Sequence, residues 1–480
     1  MSAVSDPSAP ENVNPEPKPA AAMQSGSVPL GKFSPARLDF RWQWFGLFFL
    51  VTGILFCRQP GAILHPSLYA EDGVIFFKQQ YEQGFLSALF TRYSGYLHFS
   101  PRIVAAICAL LPLECQPVAY VIASLLIAAA VLTFFFAPGF RSVIASDLLR
   151  AGVVLVFTVM PNAEPLLKLA YVNWYMLCFL ALVTLFTLPQ RPVVRWLFFL
   201  PVVVAAWSTP VAIVCLPLIL VRAWDAADRR ERLWWTALAL IGFPLAADHP
   251  PSAVAVLLQE PGWKLALVHA VGYRVFCSFF LGETLTYPSP NVGWKIVTLC
   301  SLVLAGVCGG GAAWAFARRP APGTIRRVPL VLFYLILGLP AMFVLRREWW
   351  QLFLIWNTDS WSPSGRYFFC STLLLCVLCG VIYERVLRNW IIASSRRRTL
   401  IALLFLGWLS LHAPTFRLWD WHTRTPWRDY ARTIRAAEAL VQQSGGSEKV
   451  QVRSMVSGFD FDLVITPASA KRDHAPSLPN

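Results

Sequence analysis

Charge is what this chain has least of. Only 14% of its 480 residues are Asp, Glu, Lys or Arg, where a soluble domain carries about 25%. With 56% hydrophobic residues and a mean hydropathy of +0.54, that shortage excludes an ordinary soluble enzyme and indicates a polytopic membrane protein. Nucleotide-binding signatures are also missing: there is no G-x-G-x-x-G, no P-loop and no soluble α/β stretch to carry one. The seven His are scattered and form neither H-x-x-x-H nor H-E-x-x-H, so there is no metal motif. The 11 Cys are odd in number and dispersed, mostly inside apolar runs (Cys108, Cys178, Cys215, Cys300, Cys308, Cys376). Such a set does not form a disulfide framework. Cys376 and Cys379 have a redox-like spacing, but they lie in the continuous apolar stretch STLLLCVLCG and are expected to fill core.

What the chain does have is apolar runs of membrane length, with 20 Trp and 13 Tyr to mark their boundaries. Residues 1–36 are rich in Pro, Ala, Ser and Glu, lack an apolar period and are expected to form a disordered cytoplasmic tail. The first apolar run, 40–57, has no A-x-A-like site after it and is expected to act as an uncleaved signal anchor. Further spans are expected near 117–137, 148–161, 168–188, 193–208, 210–223, 233–247, 292–317, 328–345, 367–387 and 399–413. That makes about eleven transmembrane helices in an all-α membrane domain covering 37–413.

The net charge of +15 reads as topology rather than nucleic-acid binding. With the N-terminus in the cytoplasm, five short loops hold the arginines: Arg141/Arg150, Arg191/Arg195, Arg222/Arg229/Arg230/Arg232, Arg318/Arg319/Arg326/Arg327 and Arg385/Arg388/Arg396/Arg397/Arg398. The long loops 58–116, 248–291 and 346–366 then face outward, and 248–291 is expected to lie along the interface. The segment 414–480 is outside too. It shows one helix (427–443) and two strand-like runs, EKVQVRSM and FDLVITP, so it is a small extracytoplasmic α/β segment.

The first outer loop carries Glu71 and Asp72 in LHPSLYAEDGVIFFKQQYEQG. Acids at a membrane edge are costly and are functional candidates. Residues 73–83 form an amphipathic pattern, with Val74, Phe77 and Tyr81 on one face and Lys78 and Glu82 polar, and Gly84 is placed to end the helix. A second helix follows in FLSALFTRY. Tyr96, His98 and Arg102 come next, where the chain re-enters the membrane. Surface helices of this kind roof a lipid-facing cavity. Asp72 suits a general base for a hydroxyl. Its neighbour Glu71 points about 100° away on a helix and does not share that job. The other reading of Asp72 is an N-cap for the helix beginning at Gly73, and the two roles do not exclude each other.

This layout resembles the GT-C superfamily of integral-membrane glycosyltransferases. The shared features are a first span, an acidic motif soon after it in a large outer loop (here Ala70, Glu71, Asp72), surface helices, many spans and a small C-terminal segment. The resemblance covers nearly the whole chain. It implies a polyprenyl-phosphate sugar as donor, Glu71 and Asp72 at the acidic motif with Asp72 the better base, and a bacterial inner (plasma) membrane with a periplasmic active face. The tail lacks the WWD-type motif of oligosaccharyltransferases. Physical reasoning agrees with the donor, because nucleotide sugars are cytoplasmic and these acids are outside. One carboxylate then suffices, since a phosphate leaving group needs no acid, and single displacement inverts the anomeric carbon. The implied partners are the lipid-linked donor, a glycan, lipid or protein acceptor and the bilayer, with no nucleic acid. No cofactor is implied beyond an optional divalent cation.

Other residues fit such a site. Arg366 in SPSGRYFF is the first choice for the lipid phosphate, with Arg102 and Arg274 as alternatives and an interfacial anchor as the plainer role. Arg346 and Arg347 either draw anionic head groups or simply flank a span. His98 binds sugar or phosphate, or is an ordinary interfacial histidine, and Tyr96 lies beside it. Glu164 and Asn162 sit in a short outer turn, Trp174 is placed to stack on a sugar face, and Asp359 is a second carboxylate. Two other readings stay open: a transporter or flippase of a lipid-linked glycan, and a surface-polysaccharide polymerase or ligase. Few charges within the spans and no evident inverted repeat weigh against transport.

Overall fold

Backbone polar groups inside a bilayer have no water to bond, so apolar runs of this length close their hydrogen bonds internally as helices. The computed structural model describes residues 40–160, 167–243, 269–281, 294–318, 325–344, 368–413, 426–453 and 460–470. The chain is mostly helical there. The principal helices are α1 (Phe40–Arg58), α2 (Lys78–Gln83), α3 (Phe85–Phe90), α4 (Phe99–Cys108), α5 (Gln116–Phe134), α6 (Asp147–Val159), α7 (Val172–Val183) and α8 (Pro192–Ser208). They continue as α9 (Leu216–Asp225), α10 (Arg229–Gly242), α11 (Trp294–Ala317), α12 (Val328–Val344), α13 (Phe369–Ile382), α14 (Ser395–His412) and α15 (Trp427–Ser444). Among the described residues, three helical segments are long and apolar enough to cross a membrane: Leu113–Ser142, Thr298–Ala317 and Phe369–Ile392.

The arginine-bearing loops meet at one end of the bundle. The Arg150 guanidinium is buried and donates to the Ile144 and Phe136 carbonyls and to Asp147. Glu384 accepts from the amides of Ala145 and Ser146. Arg385 donates to the carbonyl of Ile325, whose own amide donates to Ser142. Arg195 pairs with Asp228 and Arg327 with Asp225, at 3.0 and 2.9 Å. A knot of rings, Phe134, Phe140, Phe186 and Phe198, packs just inside this end with centroids about 5–6 Å apart. Gly139 is required there, because a Cβ would lie 2.1 Å from the Phe186 ring.

The first outer loop and the C-terminal segment form a second core at the opposite end. α15 and the antiparallel pair β1 (Glu448–Val452) and β2 (Phe461–Ile465) pack on the loop helices. Phe77 meets Trp427 edge-on at 5.3 Å and Phe461 at 6.3 Å. Trp427 Nε1 donates to the Leu113 carbonyl at 2.8 Å, and Arg435 pairs with Glu114 at 3.2 Å. Tyr81 donates its hydroxyl to the buried Glu438, and Glu82 accepts from the amide of Val464. The expected helix over 73–83 is present and stops at Gly84, whose φ is 82°. Its first turn is a wider π turn, Asp72–Phe77.

One expectation is overturned. The part of 248–291 that is described, His269 to Leu281, packs into the bundle against α11 and α12 instead of lying along the interface. Val275 and Phe276 are fully buried in the main core, and Gly272 sits so close to Ser301 that a Cβ would approach its Cβ to 2.3 Å. The polar residues that interrupt this stretch leave enough apolar surface for an inward face. All eleven cysteines are free thiols, and Cys376 contacts Met160 at 3.7 Å between buried helices.

The tail and the acidic turn meet at Gly73, where a Cβ would lie 2.8 Å from the Phe461 ring and 3.3 Å from Leu68. Gly73→Ala is therefore expected to destabilise this end by about 1–3 kcal/mol, the cost of overpacking. Adding Phe461→Leu should recover part of the loss. Thermal unfolding of the purified single and double variants checks this; equal losses in both would place the strain elsewhere.

Candidate functional site

The turn before the acidic pair aims Asp72 inward. Ala70 has φ 39°, a left-handed conformation costly for a residue with a Cβ. The Asp72 amide bonds to the Tyr69 carbonyl at 2.7 Å, and Gly73 and Val74 both bond back to Ala70. Two more such residues, Ser94 at φ 50° and His98 at φ 52°, lie in the same loop. Glu71 stays half-buried beside Asp72.

Asp72 itself is buried, at 2% exposure. It does not cap its own helix: its carboxylate accepts from Leu169 N at 3.2 Å and Ala170 N at 2.8 Å, nearly a hundred residues away. These amides open the turn Leu169–Tyr171, which leads directly into α7. A helix start leaves its first amides unsatisfied and favours an anion. Burial nevertheless dominates and pushes the Asp72 carboxyl up to about 7. The Ala170 amide, the charge of Lys168 and the Leu169 amide pull it down, and Glu71 pushes it further up. The side chain therefore changes charge near neutrality, the range in which a general base works best.

Lys168 is a residue that sequence reasoning missed. It is buried, its ammonium lies 5.0 Å from the centre of the Tyr69 ring, and its charge acts on Asp72. The available signal was a single Lys inside an apolar run, LLKLAYV. Tyr120, on α5, is buried within electrostatic range of Asp72.

In the first turn of α7, the Asn173 side-chain amide and His98 Nδ1 are hydrogen-bonded at 2.6 Å. Asn173 follows Leu169 and Ala170, the residues whose amides hold Asp72, by three to four positions. His98 is buried, with Tyr96 stacked on it at 3.7 Å and Phe76 and Tyr93 at 5.8 and 5.3 Å. From the sequence-predicted set, the loop holds Asp72 with Glu71 beside it, and His98 with Tyr96 stacked on it.

Arg102 is held within the same loop, and its Nη2 has no hydrogen-bond partner among the described residues. It is buried, and its guanidinium donates to the Leu97 carbonyl at 2.7 Å, the Ala88 carbonyl at 2.6 Å and Gln79 Oε1 at 2.7 Å, while lying 5.9 Å over the Phe76 ring. It ties α2, α3 and α4 together. Trp174 is half-buried against the main core. Arg274 is on the inward-packed segment described above. Arg366, Glu164, Asn162, Asp359, Arg346 and Arg347 lie outside the described residues.

Set against protein-family models, curated proteins and solved structures, the chain matches none of them.

The carboxyl's position has a measurable consequence. Its infrared carbonyl band should titrate near pH 7, vanish in Asp72→Asn, and move to higher pH in Lys168→Met, because the cation that favours the carboxylate is gone. The folded-state value is raised, so the stability that Asp72 contributes is present below its unfolded value of about 3.8 and fades as pH rises through 7. Wild type should lose thermal stability from pH 6 to 8 relative to Asp72→Asn. Parallel curves for the two proteins would argue against a buried titrating acid.

Proposed function

We propose that this chain is a membrane glycosyltransferase of GT-C type that takes a sugar from a polyprenyl-phosphate donor and places it, with inversion, on an extracytoplasmic acceptor. In this reading about eleven helices cross the inner membrane and the Asp72 end faces outward. The single observation that carries it is a buried carboxylate, balanced near neutral pH, in a strained turn at the outer end of a helical membrane chain. The layout around Glu71 and Asp72 supports the same reading, as does the gathering of the arginine-bearing loops at the other end.

The chemistry asked of the site is modest. The Asp72 carboxylate takes the proton of the acceptor hydroxyl as that oxygen bonds to the anomeric carbon. The bond from that carbon to the phosphate oxygen breaks, and the lipid phosphate leaves with the electron pair. Lys168 keeps enough positive potential near Asp72 for the charged form to exist at neutral pH. The His98 ring, hydrogen-bonded to Asn173, is the proposed contact for a sugar hydroxyl. Arg366 remains the proposed phosphate ligand, and Trp174, Glu164 and Asp359 the other proposed substrate-binding residues.

Wild type incubated with a radiolabelled polyprenyl-phosphate-sugar extract and membrane acceptors should transfer label, with a rate that rises with pH to a plateau above about 7. Asp72→Asn, which preserves the shape of the neutral acid and its acceptor oxygen, should lose at least about a hundredfold, the typical contribution of a general base. Transfer undiminished in a folded Asp72→Asn protein would leave Asp72 as a structural tie and refute the assignment.

A further inference from the structure

A second polar cleft lies at the far end of the bundle. It has a volume of about 180 Å³, and Thr184, Leu218, Arg222, Asp225, Glu231 and Arg327 line it. Two helices measure its separation from Asp72. α5 and α7 both begin beside Asp72 and both run to the arginine end, and Thr184 directly follows α7. Nineteen residues of α5 span about 28 Å at 1.5 Å per residue. Thr184 follows the far end of α7, so the cleft is at the opposite end of the bundle from Asp72.

Arg222 is its central group. One Nη donates to the Phe186 carbonyl at 2.9 Å, the guanidinium lies 5.1 Å over the Trp235 ring, and Glu231 is at 3.5 Å. Glu231 also accepts from Trp235 Nε1 at 3.2 Å. The Arg222 Nε is buried and has no hydrogen-bond partner among the described residues, a state buried donors seldom keep. Asp225 is held by Arg327. Around the rim, Arg232 donates to the Ala226 carbonyl, and Arg385 donates to the carbonyls of Ile325 and Arg326. Two arginines and two carboxylates line the cleft, each arginine beside one carboxylate.

The cleft also opens onto lipid-facing surface. Val221 lines it and is exposed, as are Leu220 and Trp224 on the same helix and Leu330 on α12. The turn before α9 meets α12 at Val214, whose carbonyl accepts from Tyr334 at 3.3 Å and whose side chain nears Gly338. Leu218 and Val221 of α9 and Val328 and Val331 of α12 line the cleft. An apolar gap ending in a guanidinium with a spare donor has the form of an amphiphile with a phosphate head.

We infer that this cleft, at the end of the bundle opposite Asp72, binds the phosphate of an anionic phospholipid, with Arg222 and Arg327 as its ligands and an acyl chain along Val221 and Val331. The inference uses neither the acidic site nor any transferase activity. The test is binding to the full-length protein in detergent, read by thermal shift, with short-chain phosphatidylglycerol, phosphatidylcholine and inorganic phosphate as three separate probes. Phosphatidylglycerol should give a saturable stabilisation, and its affinity should fall at least about tenfold in Arg222→Gln and in Arg327→Gln, the worth of a charge-assisted hydrogen bond. Arg327 is surface-exposed, so its variant remains informative if Arg222→Gln does not fold. Unchanged phosphatidylglycerol binding in Arg327→Gln, or equal binding of phosphatidylcholine, would overturn the proposal. An equal shift by inorganic phosphate would also overturn it, in favour of a small phosphate ligand.

Discussion

The hydrogen bonds from Leu169 and Ala170 to the Asp72 carboxylate are the constraint on which the outer end of this protein depends. A buried carboxylate needs donors, and a helix start has amides to spare. Bringing the two together joins the first outer loop to α7, which runs straight into the main core. The neighbouring contacts follow from that join: His98 reaches Asn173 one turn further on, and Lys168 is carried in beside Asp72. The same join leaves Gly73 facing outward from the bundle, where the C-terminal segment closes over it with Phe461. Burial outweighs donation at Asp72, which raises its carboxyl to about 7 and brings its change of charge near neutral pH.

The two ends of the bundle solve the problem of buried polarity differently. At the outer end, side chains pair with side chains across long stretches of sequence, as with Tyr81 and Glu438 or His98 and Asn173. Such contacts shape a site. At the arginine end, guanidinium groups mostly donate to backbone carbonyls of the loops, as Arg150, Arg232 and Arg385 do. Several of these groups are also ion-paired, Arg150 with Asp147, Arg195 with Asp228 and Arg327 with Asp225, so carboxylates offset part of the charge while the loops are held in place. A chain with few charges to use has placed them where they organise loops.

Some of this was legible residue by residue. The stop at Gly84, the short helix after it and the elements of the tail follow from local pattern, because a glycine and a 3.6-residue period act over one or two turns. The five arginine loops sort to one end because a bilayer imposes one rule on every loop. Asp72 stood out as an acid where acids are costly. That Arg102 ties three helices was not legible, because a guanidinium beside an apolar run looks the same in sequence whatever it binds. The segment from His269 to Leu281 was misplaced because its polar interruptions hid an inward apolar face.

By itself, the sequence determined that this chain is built of apolar helices, three of them among the described residues long enough to cross a membrane, and which acid is worth attention. These are consequences of hydropathy, local period and charge, which act along the chain. Only the tertiary structure decided that Asp72 is held by Leu169 and Ala170 instead of capping its own helix, that Lys168 lies within electrostatic range of it, and that Arg222 lines a cleft with a donor to spare. Each of these joins groups far apart in sequence, and the energy of burying a charge depends on what the fold brings beside it.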